Sequence, residues 1–185
     1  MMKNGFSMLE VAVVMMIFGI IIVLLVSVYS GALDNQRLNE AAENIVLMIQ
    51  QARSQTLASK DDSGGGLGKI HAVHIDDKNA LTPNVPNRVV LFVADAGGYA
   101  FNPSDVRNKI YQLPVGMEIS ALQFLPNGPG ERPDVYFRRL TGEGLVRDVS
   151  NNLVPIVSST VTITSKKSNN TRSISINSAG VVQVN

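Results

Sequence analysis

Histidine is rare and cysteine is absent in this chain, and both are residue types that often carry out catalysis or bind metal ions. It has 185 residues, with two histidines and no cysteines, which excludes disulfide scaffolds, thiolate metal sites and cysteine nucleophiles. The histidines, His71 and His74, are three positions apart in a segment with the pattern of a β-strand. Because side chains alternate between the two faces of a strand, these two should not share a metal ion. We expect both to be ordinary strand residues.

A glycine-rich stretch at residues 63–70, SGGGLGKI, resembles a phosphate-binding loop in its composition. That motif requires a glycine at the position of Ser63 and a serine or threonine at the position of Ile70, whose hydroxyl would bind magnesium. Neither requirement is met. We therefore interpret the stretch as a flexible linker between a helix and a strand.

Acidic residues that could bind calcium occur at Asp76, Asp77, Asp105 and Asp134. Their spacing does not follow the pattern of a calcium loop, so we expect them to be acids of solvated loops. No serine, histidine and aspartate stand in the setting of a nucleophile elbow. We predict no catalytic activity, no metal site and no cofactor.

One carboxylate, Glu10, lies at the edge of a long apolar segment. No charged residue occurs from Val11 to Leu33. At about 1.5 Å per residue this segment would extend roughly 35 Å, enough to cross a hydrocarbon core of about 30 Å. A carboxylate beside such a span is costly unless it has a partner. We therefore expect Glu10 to have a partner.

A secretory signal peptide is the alternative interpretation of the apolar segment. Signal peptides have an apolar region of about 7 to 15 residues, followed by a cleavage site with small residues. The stretch from Ser30 to Ala32 could serve a signal peptidase. The apolar segment is longer than this interpretation requires, and its helical pattern continues past Ala32, so a membrane-spanning helix over residues 11–33 is favoured.

The residues directly before the apolar segment form a specific motif. Residues 5–10, GFSMLE, followed by a long apolar helix, resemble the class III signal of type IV pilins and type II secretion pseudopilins. The resemblance implies that a prepilin peptidase removes the leader, residues 1–5, by cleaving between Gly5 and Phe6, and methylates Phe6. It also implies that Glu10 pairs with the N-terminal ammonium of a neighbouring subunit as the helices pack into a filament. Such pairing would offset the cost of desolvating both charges.

Beyond the apolar segment the sequence pattern becomes amphipathic. Apolar residues recur at steps of three and four from Leu38 to Leu57, which predicts that one helix face packs on a domain. No proline interrupts residues 6–60, so we expect one helix of about 55 residues, roughly 80 Å long. It would be amphipathic over residues 34–60 and end at residues 61–66, DDSGGG. A coiled-coil stalk stays as the alternative for the amphipathic half.

Residues 61–185 have the pattern of a β-rich globular head. Two segments, 160–164 and 172–176, alternate polar and apolar residues, which predicts a sheet with one solvated face. The expected fold class is α+β, with an antiparallel β-sheet head packed on the exposed half of the long N-terminal helix. Residues 76–87 and 126–133 are expected to be loops. The predicted strands are Lys69–Ile75, Arg88–Ala94, Ile119–Leu125, Val135–Arg138, Val161–Thr164, Ser173–Ile176 and Val181–Val184.

Three short stretches of the remaining chain resemble the minor pseudopilin H family and its minor-pilin relatives. They are residues 49–57, IQQARSQTL, residues 123–128, QFLPNG, and residues 172–182, RSISINSAGVV. In that family the helix is followed by a two-sheet β head, which a late strand-turn-strand unit closes. The resemblance implies the same arrangement here.

Some minor pilins with a related head bind DNA through a basic Gly-Arg-x-Arg segment near the C-terminus. The matching residues 180–183 read GVVQ here and lack both arginines. Lys166, Lys167 and Arg172 cluster in or beside the last hairpin, where they would make weak, salt-sensitive phosphate contacts. The formal net charge of the chain is only +1, so nucleic acid is not an expected partner. A DNA-binding minor pilin of a DNA-uptake pilus stays as the alternative function.

The resemblance thus implies a structural subunit of a type IV pilus-like or type II secretion pseudopilus filament. Its expected partners are copies of itself, other pilins or pseudopilins, a prepilin peptidase, an inner-membrane assembly platform and, before assembly, the lipid bilayer. The subunit would cross the cytoplasmic membrane once, with its head outside the cytoplasm, and then enter an extracellular or periplasmic filament. A membrane-tethered enzyme or secreted domain that never polymerises is the alternative from another class.

Overall fold

The computed structural model describes residues 8–59, 70–77, 86–94, 107–125, 128–129, 134–147 and 153–185. The predicted cleavage site at Gly5 and Phe6, the predicted helix end at residues 61–66, most of the glycine-rich stretch and Asp105 lie outside these ranges. Within them a single helix, α1, is followed by eleven strands. The bounds are α1 Met8–Ala58, β1 Ile70–Asp76, β2 Arg88–Ala94, β3 Arg107–Gln112, β4 Met117–Leu125, β5 Gly128–Pro129, β6 Asp134–Phe137, β7 Gly144–Arg147, β8 Leu153–Pro155, β9 Ser158–Ser165, β10 Thr171–Asn177 and β11 Val182–Val184.

Helix α1 is continuous over 51 residues, or about 77 Å at 1.5 Å per residue. Its C-terminal half packs on the head through the predicted apolar stripe. The buried residues of this stripe are Leu38, Ala41, Ala42, Ile45, Met48, Ile49 and Ala52. Leu57, which we included in the stripe, is instead 44% exposed. Because the head of the same chain covers the stripe, the coiled-coil alternative is not supported.

The strands form two antiparallel sheets, and α1 contacts strands of both. The first sheet has six strands in the order β3-β2-β1-β6-β7-β8, and the second has five in the order β11-β10-β9-β4-β5. Apolar side chains from both sheets and from α1 form one core. The end of α1 is tied to β1, because Thr56 Oγ1 donates to the carbonyl of His71 and accepts from its N–H. The α+β class and the packing of a long N-terminal helix on antiparallel strands are therefore confirmed.

The alternating pattern predicted one sheet with a solvated face, and this holds only for some strands of the head. In β9 every second residue is buried and those between are not, as predicted. In β2, by contrast, every residue except Val93 is buried, because its sequence RVVLFVA is apolar without alternation, as in strands covered on both faces. The face of the first sheet away from α1, here called the outer face, has its own apolar cluster of Ala72, Val90, Phe92, Ala94, Tyr136 and Leu145.

Three strands of the first sheet, β3, β7 and β8, were not predicted. Strand β3, RNKIYQ, is polar and lies at one edge of the sheet, whereas β7 and β8 are only four and three residues long. Short and polar strands give little periodic signal. Strand β3 pairs with β2, β7 pairs with β6 and β8 pairs with β7, which places all three in the sheet.

Candidate functional site

The N-terminal half of α1 extends away from the head and is exposed along its length. Each large apolar side chain from Met8 to Tyr29 whose burial is described is at least 45% exposed. Helix α1 is long and apolar enough to cross a membrane once, and none of its most apolar segment is buried in the protein. An exposed apolar surface of this extent requires lipid or other apolar helices to cover it.

Glu10 lies in the first turn of the described helix and is exposed. Near a helix N-terminus a carboxylate also interacts favourably with the helix dipole. Beyond it α1 has no charged side chain until Asp34. Glu10 and Asp34 therefore bound the apolar segment of the helix at its two ends.

Asp34 forms the junction between the exposed half of α1 and the head. Its carboxylate accepts a hydrogen bond of 2.7 Å from Ser165 Oγ and one of 2.5 Å from Ser168 Oγ. These two hydrogen bonds, that from Ser168 first, lower the pKa of Asp34 against the opposing effect of burial, and the charges of Lys167 and Arg37 act in the same direction. The carboxylate is thus held in its charged form.

Two further hydrogen bonds join α1 to the same region of the head. Asn170 Nδ2 donates to Asn35 Oδ1 at 2.6 Å, and Arg172 Nε donates to Asn39 Oδ1 at 2.7 Å. The residues between β9 and β10, here called the β9–β10 turn (residues 166–170), therefore lie beside residues 34–39 of α1. Ser165 also closes this turn, because its hydroxyl accepts the N–H groups of residues 167 and 168.

The three basic residues singled out in the sequence, Lys166, Lys167 and Arg172, lie in or beside the β9–β10 turn. Lys166 Nζ is 3.1 Å from Glu118 Oε2, and Arg172 is engaged with Asn39 and with the carbonyl of Thr171. Lys167 is exposed. The structure thus brings the three cations to the junction with α1, with two of them in contact with head or helix residues.

A second polar site, which the sequence analysis missed, lies on the outer face of the first sheet. His74 Nδ1 is 2.5 Å from Asp134 Oδ1, and His74 Nε2 is 2.8 Å from Asp76 Oδ1. Arg88 Nε donates to Asp76 Oδ2 at 2.8 Å, and Tyr136 OH donates to Asp134 Oδ2 at 3.2 Å. We call these five residues the His74 cluster.

Strand register explains how the His74 cluster forms. His74 pairs with Asp134 across the β1–β6 ladder, and Asp76 pairs with Arg88 across the β1–β2 ladder. Asp76 and Asp134, which we expected to be solvated loop acids, are instead 1% and 3% exposed. That prediction is wrong because both aspartates belong to strands and pair there with buried cations.

The electrostatics of the His74 cluster indicate a structural role. Burial disfavours the charged imidazole, but the hydrogen bonds and charges of Asp134 and Asp76 outweigh it and raise the pKa of His74 to about 9. With both ring nitrogens bonded to carboxylates, the imidazolium lacks a lone pair for a metal ion or for general base catalysis. Within the described ranges, no group of three or more His, Cys, Asp or Glu side chains is arranged to hold a metal ion.

Two features of the described residues could therefore serve a function beyond stability: the exposed apolar half of α1, and its junction with the head at Asp34. Comparison of the chain with protein-family models, curated proteins and solved structures finds no match.

Proposed function

We propose that this protein is a structural subunit of a type IV pilus-like or type II secretion pseudopilus filament, polymerised through its N-terminal helix. One observation carries the proposal. A single continuous helix packs its apolar stripe into its own head over its C-terminal half and is exposed and apolar over its N-terminal half. The apolar surface of such a helix can be covered first by lipid and then by the helices of neighbouring subunits.

When lipid is replaced by neighbouring helices, the same apolar surface of α1 stays covered. Lipid tails and the apolar faces of other helices are similar solvents for the side chains from Val11 to Leu33. The helix can therefore store the subunit in the membrane and then form the core of a filament. The head stays outside, because its own apolar core is already closed by the C-terminal half of α1.

In this proposal Glu10 determines how adjacent helices pair. A carboxylate that enters a helical bundle is costly unless it meets a positive charge. The N-terminal ammonium of a neighbouring subunit, generated by cleavage between Gly5 and Phe6, would supply that charge and set the register of adjacent helices. The prepilin motif at residues 5–10 supports this role.

The geometry supports a helix that is not cut after its apolar segment, rather than a secretory signal peptide that is removed there. Helix α1 continues without a break through Ser30, Gly31 and Ala32, the stretch that could serve a signal peptidase. Two residues later, Asp34 is hydrogen bonded to the head. Cleavage at Ala32 would thus cut within a helix that the head itself holds.

The experiment that tests the proposal is mass spectrometry of the N-terminal peptide, in sheared surface filaments and in membranes of cells that make the protein. The expected result is a peptide that begins at methylated Phe6. Its dominance in sheared material would indicate an abundant pilus subunit, and its restriction to membranes would indicate a minor subunit or pseudopilin. A mature chain that begins at any other residue would contradict the proposal.

A further inference from the structure

We propose that the end of the head nearest the apolar helix is a docking surface for anionic phospholipid headgroups. The surface consists of Lys166 and Lys167 in the β9–β10 turn and of Val115 in the turn before β4. It would hold the head on the bilayer while α1 spans it. The inference rests on the membrane-inserted stage of the proposed function and adds a lipid contact by the head to it.

The β9–β10 hairpin runs along α1 towards its apolar segment. Arg172 bonds Asn39, Asn170 bonds Asn35 and Ser168 bonds Asp34. As the hairpin approaches its turn, its partners on α1 move towards the N-terminus, by about 7.5 Å along the helix axis from residue 39 to residue 34. The turn therefore points towards the apolar segment.

The β9–β10 turn lies at the end of the apolar segment of α1. Asp34 is the first charged side chain after the apolar segment, so its carboxylate marks the level at which α1 leaves the hydrocarbon region. Ser165 and Ser168, which bond that carboxylate, directly flank Lys166 and Lys167 in the chain. The two lysines consequently lie at the level of the lipid headgroups.

A second turn lies at the same end of the head. The N–H of Lys166 donates to the carbonyl of Gly116 at 2.8 Å, and Ser165 pairs with Met117 across the β4–β9 ladder. Val115, next to Gly116, is completely exposed. An exposed apolar side chain beside lysines is the composition of a surface that inserts shallowly between anionic headgroups.

The charge at this end of the head favours an anionic partner. The cations are Arg37, Lys166, Lys167 and Arg172, and the anions are Asp34, Glu40 and Glu118. Four positive and three negative side chains leave an excess of one positive charge. Lipid is favoured over DNA because the hairpin aims this charge at the bilayer that α1 enters.

The test uses the full chain in vesicles, with a single fluorophore at a cysteine introduced by Val115→Cys. The chain has no cysteine of its own, so the label is unique. The matched control is Leu140→Cys, because Leu140 is also an exposed apolar turn residue but lies near Gly142, which contacts the C-terminal end of α1. Quenching by a nitroxide on the lipid headgroup reports contact with the membrane.

We expect quenching at position 115 to be at least about threefold stronger in vesicles of phosphatidylcholine and phosphatidylglycerol at 7:3 than in phosphatidylcholine alone. High salt should remove the difference, since screening shortens the reach of surface charges. Combining Lys166→Gln with Lys167→Gln should remove it too, whereas Lys109→Gln, at another exposed lysine, should not. Position 140 should show no dependence on lipid charge.

Equal quenching in both lipids, or an unchanged difference in the double variant, would overturn the inference. A response of the label to duplex DNA but not to phosphatidylglycerol would also overturn it and would favour the DNA-binding alternative. Resistance of the vesicle-bound chain to carbonate extraction is measured in parallel. A chain that inserts but does not dock contradicts only the lipid contact, whereas a chain that fails to insert contradicts the membrane stage of the proposed function as well.

Discussion

The imidazole of His74 on β1 lies 2.5 Å from the carboxylate of Asp134 on β6, and both side chains are nearly inaccessible to solvent. With Asp76 and Arg88 they form a group whose two negative and two positive charges cancel. Burying these charges is tolerable only while each has its partner. The His74 cluster therefore joins three adjacent strands, β2, β1 and β6, on the outer face of the first sheet.

Replacing His74 by alanine should destabilise the head by about 3–5 kcal/mol, because Asp76 and Asp134 would lose a buried positive charge. The free energy of unfolding is measured by urea titration of the full chain in detergent micelles. His71→Ala is the matched control, since this strand histidine is half-buried, and it should cost about 1 kcal/mol or less. Equal losses in the two variants would contradict the role assigned to the cluster.

The stability that His74 contributes should depend on pH in the alkaline range. Its pKa is about 9 in the folded protein against 6.5 for an unperturbed histidine, so the folded state binds the proton more tightly. The contribution, about 3 kcal/mol, is fully present below pH 6.5, falls as the pH rises and is lost above about pH 9. Urea titrations at pH 6 and pH 9.5 should therefore show a smaller difference between wild type and His74→Ala at the higher pH. A difference that is the same at both values would contradict this assignment.

Glu10→Ala should reduce the amount of protein in sheared filaments at least about tenfold, because the N-terminal ammonium of the neighbouring subunit would lose its partner. Quantitative immunoblots of sheared and membrane fractions measure the loss. Glu43→Ala is the matched control, since Glu43 is also an exposed glutamate of α1 but lies on the half that packs on the head. Both variants should leave the thermal unfolding of the head unchanged. Normal incorporation of Glu10→Ala would contradict the proposed pairing.

The long helix was predictable from the sequence because an uncharged apolar segment is followed, with no intervening proline, by an amphipathic stripe. The stripe from Leu38 to Ala52 is the same in the sequence and in the core. Strand β2, Arg88–Ala94, was predicted with its observed bounds, since valine and phenylalanine make up most of its sequence, RVVLFVA.

The His74 cluster was not predictable in this way, because its members come from three strands. Its only signals in the sequence are two pairs of polar residues at alternate positions, His74 and Asp76 in β1 and Asp134 and Tyr136 in β6. Such spacing places both side chains of a pair on one face. Which strands are neighbours, and hence which charges meet, is decided by the topology of the sheet.

Asp34→Ala should loosen the β9–β10 turn. The turn would lose the acceptor of the Ser165 and Ser168 hydroxyls, so the amide of Lys167 should exchange with solvent about tenfold faster. Hydrogen exchange of the full chain in micelles measures this. Gln36→Ala is the control, because Gln36 bonds only Glu40 on the same helix in the described residues, and it should leave the turn unchanged.

The same exchange should respond to pH in the wild-type protein. Because the pKa of Asp34 is lowered in the folded state, its contribution is present at neutral pH and is lost as the pH falls through that lowered value. After correction for the intrinsic pH dependence of exchange, protection at Lys167 should decrease in acid. The Asp34→Ala variant should show no such decrease, and a decrease that persists in it would assign the effect to another group.

Gly180→Ala should destabilise the head more than Gly116→Ala. Both glycines have positive φ, +70° and +89°, which costs an alanine about 1–2 kcal/mol. A Cβ at position 180 would also lie 2.3 Å from the carbonyl oxygen of Gly142, whereas one at position 116 meets nothing within 4 Å. That carbonyl cannot withdraw freely, because it accepts a hydrogen bond of 3.1 Å from Arg53 Nε on α1.

The backbone clash should raise the loss for Gly180→Ala to at least about 3 kcal/mol, and urea titration of both variants in micelles measures the difference. The loss should be accompanied by faster hydrogen exchange at Arg53 and its neighbours, since the turn at Gly142 would move away from the end of α1. Equal losses for the two glycines would mean that positive φ alone explains them. The close approach of the turns at Gly142 and Gly180 would then not contribute to holding the helix on the head.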